Sequence, residues 1–270
     1  MKKSIFLDLL KLIALFGVVW AIFVLLPIFP DKSDLDLSIE KEEKLGTLIV
    51  DDILSNDPAF NAVSNPTLDS AMSVITNQLF ENIGLTDYEY NIIIIDNPQV
   101  NAFTLPGGYI FVFSGLIEFT DYPEELAAVL AHEIGHVEKR HVVTKLIKEF
   151  GLTFLFTVLT GGDAVILSEV GKTAVSTVFD RKQEKEADLH ALDLLTKSNI
   201  SPQSLAAFFR RLKREVGSYN ENFEIIMTHP HVNSRIKTSI EYKLPEDFKA
   251  IDFDLDWEKV KKSIGYDAEL

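Results

Sequence analysis

Hydrophobic residues change their spacing along the chain, and each change predicts an element. From Ile5 to Phe29 the sequence is apolar, and Leu12–Phe29 are 18 residues without a charge, enough for a helix to cross a bilayer core. The run is longer than the apolar region of a cleavable signal, and Leu25–Pro30 offers no small-x-small site. We therefore expect residues 1–30 to be an uncleaved, single-pass signal anchor. Lys2 and Lys3 before it and Asp31, Asp34 and Asp36 after it set the N-terminus in the cytoplasm and the folded part outside, periplasmic in a Gram-negative cell. Residues 31–59 read as a charged stalk and a first helix.

Leu68, Met72, Ile75, Leu79 and Ile83 then recur three or four apart, a helical stripe over Pro66–Ile83. Tyr90–Ile95 is a β-branched run closed by Asp96-Asn97-Pro98, as expected of a buried strand and turn. Asn101–Phe113 places Pro106-Gly107-Gly108 between apolar segments and predicts a hairpin or strand pair. Pro123-Glu124-Glu125 opens a long helix that meets no breaker except Gly135 before Gly151. Phe150–Leu159 is apolar but too short to span a membrane, and reads as a core helix or a flap. Further helices are expected over Asp163–Val178, Asp180–Ser198, Pro202–Val216 and Asn233–Tyr242. One hairpin among so many helices predicts an α+β, mainly helical fold, with a principal domain over residues 60–243. Residues 244–270 form an acidic C-terminal tail with a peripheral helix.

Composition narrows the function. Of 270 residues 26 are Lys or Arg and 41 Asp or Glu, a formal charge of −15, which opposes binding to nucleic acid through phosphate neutralisation. The absence of cysteine excludes disulfides, thiolate-held metals and a lipidated cysteine.

The chemistry concentrates at His132-Glu133-Ile134-Gly135-His136. Histidines at i and i+4 lie on one helical face and can reach one Zn2+ ion, while Glu133 beside them can take a proton from a water activated there. Chance alone produces such a motif in about one chain of this composition in a hundred, so its context matters. Glu184 and Asp188 repeat the i, i+4 spacing: one carboxylate can bind the metal while the other orients an imidazole. Glu186, between them, points elsewhere. His141 lies about 140° round a continuous helix from His136, and with His190 it reads as structural. Thr228-His229-Pro230-His231 followed by Arg235 places His229 on an extended loop, from which it can support an oxyanion or close the site as a fourth ligand.

Taken together, His132-Glu133-x-x-His136, Glu184-x-x-x-Asp188, the stretch Asn101–Ile110 and His229-Pro230 with Arg235 resemble the M48 family of zinc metallopeptidases, in its single-domain periplasmic and mitochondrial-inner-membrane quality-control branch. The resemblance covers about residues 60–243. It implies a zincin-like domain, one Zn2+ per chain held by His132, His136 and Glu184, Glu133 as catalytic base, Asp188 supporting the site, and His229 approaching the metal with Arg235 from the same motif. The implied activity is cleavage of unfolded or misassembled proteins by a membrane-anchored endopeptidase. A non-catalytic or latent chaperone-like protein on the same fold is the competing expectation. Asn101–Phe113 is further expected to offer an edge for an extended substrate.

Overall fold

Local chemistry sets most of the boundaries in this computed structural model, which describes Lys11 and residues 14–16, 37–162, 164–216 and 225–264. The chain divides into two units, residues 1–37 and 38–270. In the first, Lys11 and residues 14–16 are helical and exposed. The rest of the expected anchor over residues 1–30 lies outside the described residues, and among those described no helix is long and apolar enough to cross a membrane.

The second unit begins with helix α1 (Ile39–Asn56). Helix α2 (Pro66–Phe80) starts where the Asn65 side chain accepts a hydrogen bond from the Leu68 N–H and Pro66 takes the first helical position, where its missing N–H costs nothing. Strand β1 (Asn91–Ile95), strand β2 (Ala102–Leu105) and strand β3 (Tyr109–Phe113) form a three-stranded sheet in the order β1-β3-β2. The expected hairpin is the antiparallel β2–β3 pair, with Phe103 opposite Phe111. β1 runs parallel to β3 on its other side, with Ile93 opposite Phe111. The Pro106–Gly108 turn between β2 and β3 requires glycine, because Gly107 has φ 77° and a Cβ there would come within 2.5 Å of the Glu43 Cα.

Alternation along β3 buries both faces of the sheet. Phe111 and Phe113 join Phe103 and Phe60 on one face, while Ile110 and Val112 enter the main core. After the short helix α3 (Ser114–Phe119) comes α4 (Pro123–Glu138), whose Leu126, Ala127, Leu130, Ala131 and Ile134 are fully buried. α4 packs against β2 on one side and against α8 (Arg181–Lys197) on the other.

The long helix expected from Pro123 to Gly151 is interrupted. Arg140 adopts a left-handed conformation, φ 54° and ψ 36°, and a separate helix α5 (His141–Phe150) follows. No glycine or proline marks the break. It is held from outside: Glu42 of α1 accepts from Arg140 Nε at 3.0 Å and from the Tyr88 hydroxyl at 3.1 Å, and pairs with Arg140 Nη2 at 2.9 Å.

Gly151, at φ 77°, ends α5. The apolar run expected as a core helix or flap is α6 (Leu152–Leu159), which buries Leu155, Val158 and Leu159 and packs with α1. α7 (Ala164–Val175) lies on α1 and touches β2. α8 begins at a capping box in which Asp180 accepts from the Gln183 N–H and Gln183 returns a bond to the Asp180 N–H, satisfying donors that the first turn would leave open. Helix α9 (Gln203–Val216), the single turn α10 (Ile225–Thr228) and helix α11 (Val232–Glu241) complete the wall behind α4 and α8. Helix α12 (Trp257–Ile264), the expected peripheral helix of the tail, packs on α2 and α3.

Candidate metal centre

Three elements converge on the third and fourth turns of α4. His132 and His136 lie one turn apart, their rings edge to face and their Nε2 atoms 3.0 Å from each other. α8 approaches α4 where Gly135 faces Ala187, so closely that a Cβ at Gly135 would lie 2.8 Å from the Ala187 carbonyl oxygen. That approach brings Glu184 Oε1 to 3.4 Å from His136 Nε2, and Glu184 Oε2 to 3.8 Å from His132 Nε2. His229, on the loop after α10, places Nδ1 3.3 Å from His132 Nε2 and 3.0 Å from Glu184 Oε1.

One ligand atom from each of His132, His136, Glu184 and His229 lies within 4.8 Å of all the others. None of the four residues is more than 3% exposed. Hydrogen bonds do not fully satisfy the group: His229 Nε2 and both carboxylate oxygens of Glu133 are buried without a hydrogen-bond partner, an arrangement that costs stability unless another group completes it. Three imidazoles and a carboxylate pointing at one spot suit a divalent cation, Zn2+ above all.

The protonation states agree with that donor set. Burial, helped by the nearby Arg235 charge, pulls His132 down to about 4 against the opposing pull of Asp188. Burial also holds His136 well below the usual histidine value. Both rings are therefore neutral at pH 7, as ligation requires. Burial favours the neutral form of Glu184, but Arg235 and His229 outweigh it and keep the carboxyl ionised far below its ordinary range. Glu133 is pushed up to about 7 by burial, with His229 opposing. Burial lowers His229, and the Glu184 and Glu133 carboxylates more than reverse this.

Both ligating helices carry support behind the rings. His132 Nδ1 lies 3.0 Å from Asp188 Oδ1. Arg235 of α11 donates to that oxygen from Nη2 at 2.7 Å, pairs with Glu184 Oε2 through Nη1 at 2.7 Å, and stacks over the Phe209 ring at 4.1 Å. The candidates His132, Glu133, His136, Glu184, Asp188, His229 and Arg235 thus lie together in one buried cluster. His190 lies outside it, with its Nδ1 buried and unpartnered.

Two residues read as remote are part of the surroundings. The break at Arg140 swings His141 back, and its Nδ1 sits 2.9 Å from His136 Nδ1; the 140° offset applies only to an unbroken helix. Glu186 does not point away but meets His141 Nε2 at 3.3 Å. Burial lowers the His141 pKa, with Glu186 opposing, so this ring too is neutral. Phe179 gave no signal in the sequence. Its ring centroid lies 3.8 Å from that of His136, and its N–H donates to the Thr228 carbonyl at 3.2 Å, tying the segment before α8 to α10 across the site.

Residues 66–242, well over half of the chain, match the model of peptidase family M48. The chain belongs to peptidase family M48. Its M48 relatives include the beta-barrel assembly-enhancing protease of Yersinia pestis, 28% identical over 78% of this chain and 46% of that protein. The mitochondrial metalloendopeptidase OMA1 of Schizosaccharomyces pombe is 28% identical over 78% of this chain and 63% of its own length. Metalloprotease LoiP of Escherichia coli is 31% identical over 60% of this chain and 67% of its own. The chain spans about half the length of the assembly-enhancing proteases it matches.

Proposed function

We propose that this M48 chain is a zinc-dependent endopeptidase that cleaves unfolded or misassembled proteins, anchored to a membrane by residues 1–30 with its catalytic domain outside the cytoplasm. The observation that carries the catalytic part is the convergence of four buried ligand atoms beside a carboxylate, Glu133, that has no hydrogen-bond partner of its own. His132, His136 and Glu184 would hold one Zn2+. When bound, the ion supplies Lewis acidity, acidifying a water and polarising the scissile carbonyl. Glu133 takes the proton from the attacking water and delivers it to the leaving amine. Its raised pKa suits both halves of that exchange near neutral pH.

His229 completes the ligand set in the closed arrangement, so the resting site is latent until the loop after α10 and the Phe179 segment move. That closure, with the ligating residues at most 3% exposed, is also what favours the second reading, a latent or chaperone-like member of the fold. The names of the relatives, an assembly-enhancing protease and a mitochondrial metalloendopeptidase, support a quality-control substrate class. Within Asn101–Phe113, β3 is the centre of the sheet and is paired on both sides, whereas β2 lies at the sheet edge; its four residues are buried with α1 and α7 packed on it, so it would receive an extended peptide only when these move.

The test is zinc content together with cleavage of an unfolded protein such as casein, for the full chain and for Glu133→Gln. Zinc near one per chain, with cleavage lost by about 10²–10⁴-fold in the variant, supports the peptidase. Zinc without cleavage in either protein selects the latent reading. A folded chain that takes up no zinc refutes the zinc peptidase and leaves a non-catalytic role for the fold. Accessibility of the domain to added protease in intact cells, with and without residues 1–30, tests the anchor.

A further inference from the structure

Nδ1 of His136 and Nδ1 of His141, 2.9 Å apart, can share only one hydrogen. The other nitrogen of His141 faces Glu186 Oε2 at 3.3 Å, and an ionised carboxylate only accepts. A His136 ring that binds through Nε2 carries its hydrogen on Nδ1 and donates it to Nδ1 of His141, which then carries its own hydrogen on Nε2, facing Glu186. This order leaves the lone pair of His136 on Nε2, the atom that faces His132 Nε2 at 3.0 Å and Glu184 Oε1 at 3.4 Å.

We propose that His141 and Glu186 form a relay that fixes the tautomer and ring orientation of His136 for metal binding, as Asp188 does for His132. The inference rests on the reading of His136 as a metal ligand. The backbone is built for it: the left-handed Arg140, held by Glu42, turns α5 so that its first residue meets a side chain of α4. Phe179 lies against the His136 ring at 3.8 Å and limits its rotation from the other side. Each of the two α4 histidines is then braced by a different α8 carboxylate, His132 directly by Asp188 and His136 through His141 by Glu186. Both are positioning residues and touch no reacting atom.

The test is competition for zinc between the full chain and a chromogenic chelator, with the wild type, His136→Ala, His141→Leu, His141→Asn and Glu186→Ala compared. His141→Leu is expected to weaken zinc binding by about 10- to 100-fold, the usual effect of removing an outer partner of a ligating histidine. His141→Asn, whose Oδ1 takes the place of the accepting Nδ1, is expected to restore most of it, which a purely packing role would not produce. Glu186→Ala is expected to weaken binding several-fold. Nitrogen NMR of the metal-free wild type should show His136 protonated on Nδ1, with that preference reduced in His141→Leu. Wild-type affinity in His141→Leu, alongside lost binding in His136→Ala, overturns the relay and leaves the metal site standing. A wild type that takes up no zinc overturns both. Should the leucine variant fail to fold by circular dichroism, Glu186→Ala decides: unchanged zinc affinity with an unchanged His136 tautomer overturns the relay.

Discussion

Replacing Gly135 by alanine separates metal binding from stability. A Cβ there would lie 2.8 Å from the Ala187 carbonyl oxygen and 3.0 Å from its Cα. Both are backbone atoms and cannot rotate away, so α4 and α8 must part by about 0.6 Å to restore ordinary contact at 3.4 Å. Alanine gains about 1 kcal/mol over glycine in a helix interior, and overpacking costs about 1–3 kcal/mol, so the net loss of stability is about 0–2 kcal/mol. The ligands fare worse. His132 and His136 ride on α4 and Glu184 on α8, and metal–ligand distances tolerate only about 0.2 Å, a third of the required shift. The expected result is a folded protein whose zinc affinity has fallen at least about tenfold, or 1.4 kcal/mol, measured by chelator competition beside thermal unfolding. Wild-type zinc affinity in Gly135→Ala would refute the argument that this close approach sets the ligand geometry.

His229→Ala is expected to raise cleavage of an unfolded substrate several-fold while zinc is retained; a fall in cleavage with zinc retained would instead assign His229 to the oxyanion. Arg235→Met removes a guanidinium that pairs with Asp188 and Glu184 in the core, and should cost about 3–5 kcal/mol in urea unfolding of the metal-free chain; a loss below about 1 kcal/mol would contradict this. Phe113 N–H donates to the Asn101 carbonyl, so by alternation the backbone groups of Ala102 and Thr104 face away from β3. Thr104→Pro should therefore spare the sheet and the metal but slow peptide cleavage by about 2- to 10-fold, the value of one hydrogen bond, and unchanged kinetics would exclude β2 as the docking edge. Burial raises the Glu42 pKa, and Arg140 only partly offsets it. Folded above unfolded means that Glu42 contributes stability below the unfolded value of about 4.3 and loses it as pH rises through the folded value. Glu42→Gln should accordingly gain on the wild type as pH rises, whereas parallel stability curves would show that the carboxyl is not raised.

Periodicity located the parts of this fold whose contacts are local. The i, i+4 spacing of His132 and His136 needed only the helix that Pro123 opens, and the same spacing marked Glu184 and Asp188 as partners on another helix. The Pro106-Gly107-Gly108 turn announced the β2–β3 pair. What spacing could not reveal was decided from far along the chain. The break at Arg140 is enforced by Glu42, 98 residues earlier, with no glycine or proline to signal it, and extrapolating the helix through it misplaced His141. Glu186 points to the site for the same reason, since its partner is His141, which that break brings back. Phe179 meets His136 from a segment whose N–H is bonded to the Thr228 carbonyl, 49 residues further along. The parallel pairing of β1 with β3 is likewise a tertiary choice that a β-branched run does not specify.

The charges in this cluster explain why so polar a group sits in the core. With His132, His136 and His141 neutral, the fixed charges of the cluster are the carboxylates of Glu184 and Asp188 and the guanidinium of Arg235, a surplus of one negative charge before Glu133 is counted, and the Glu184 and Glu133 carboxylates answer it in the metal-free site by raising the pKa of His229. Isolated buried charge is expensive, and in the metal-free cluster His229, with Nδ1 3.0 Å from Glu184 Oε1, is the group placed to offset it. A divalent ion held by Glu184 and neutral His132, His136 and His229 would take over that role, and ionised Glu133 would then bring the group to neutrality. Arg235 is thus a permanent half of the compensation and the metal the other half. Folding, metal uptake and the ionisation of the catalytic carboxylate are coupled through one electrostatic balance, and a change at any of them is expected to register at the other two.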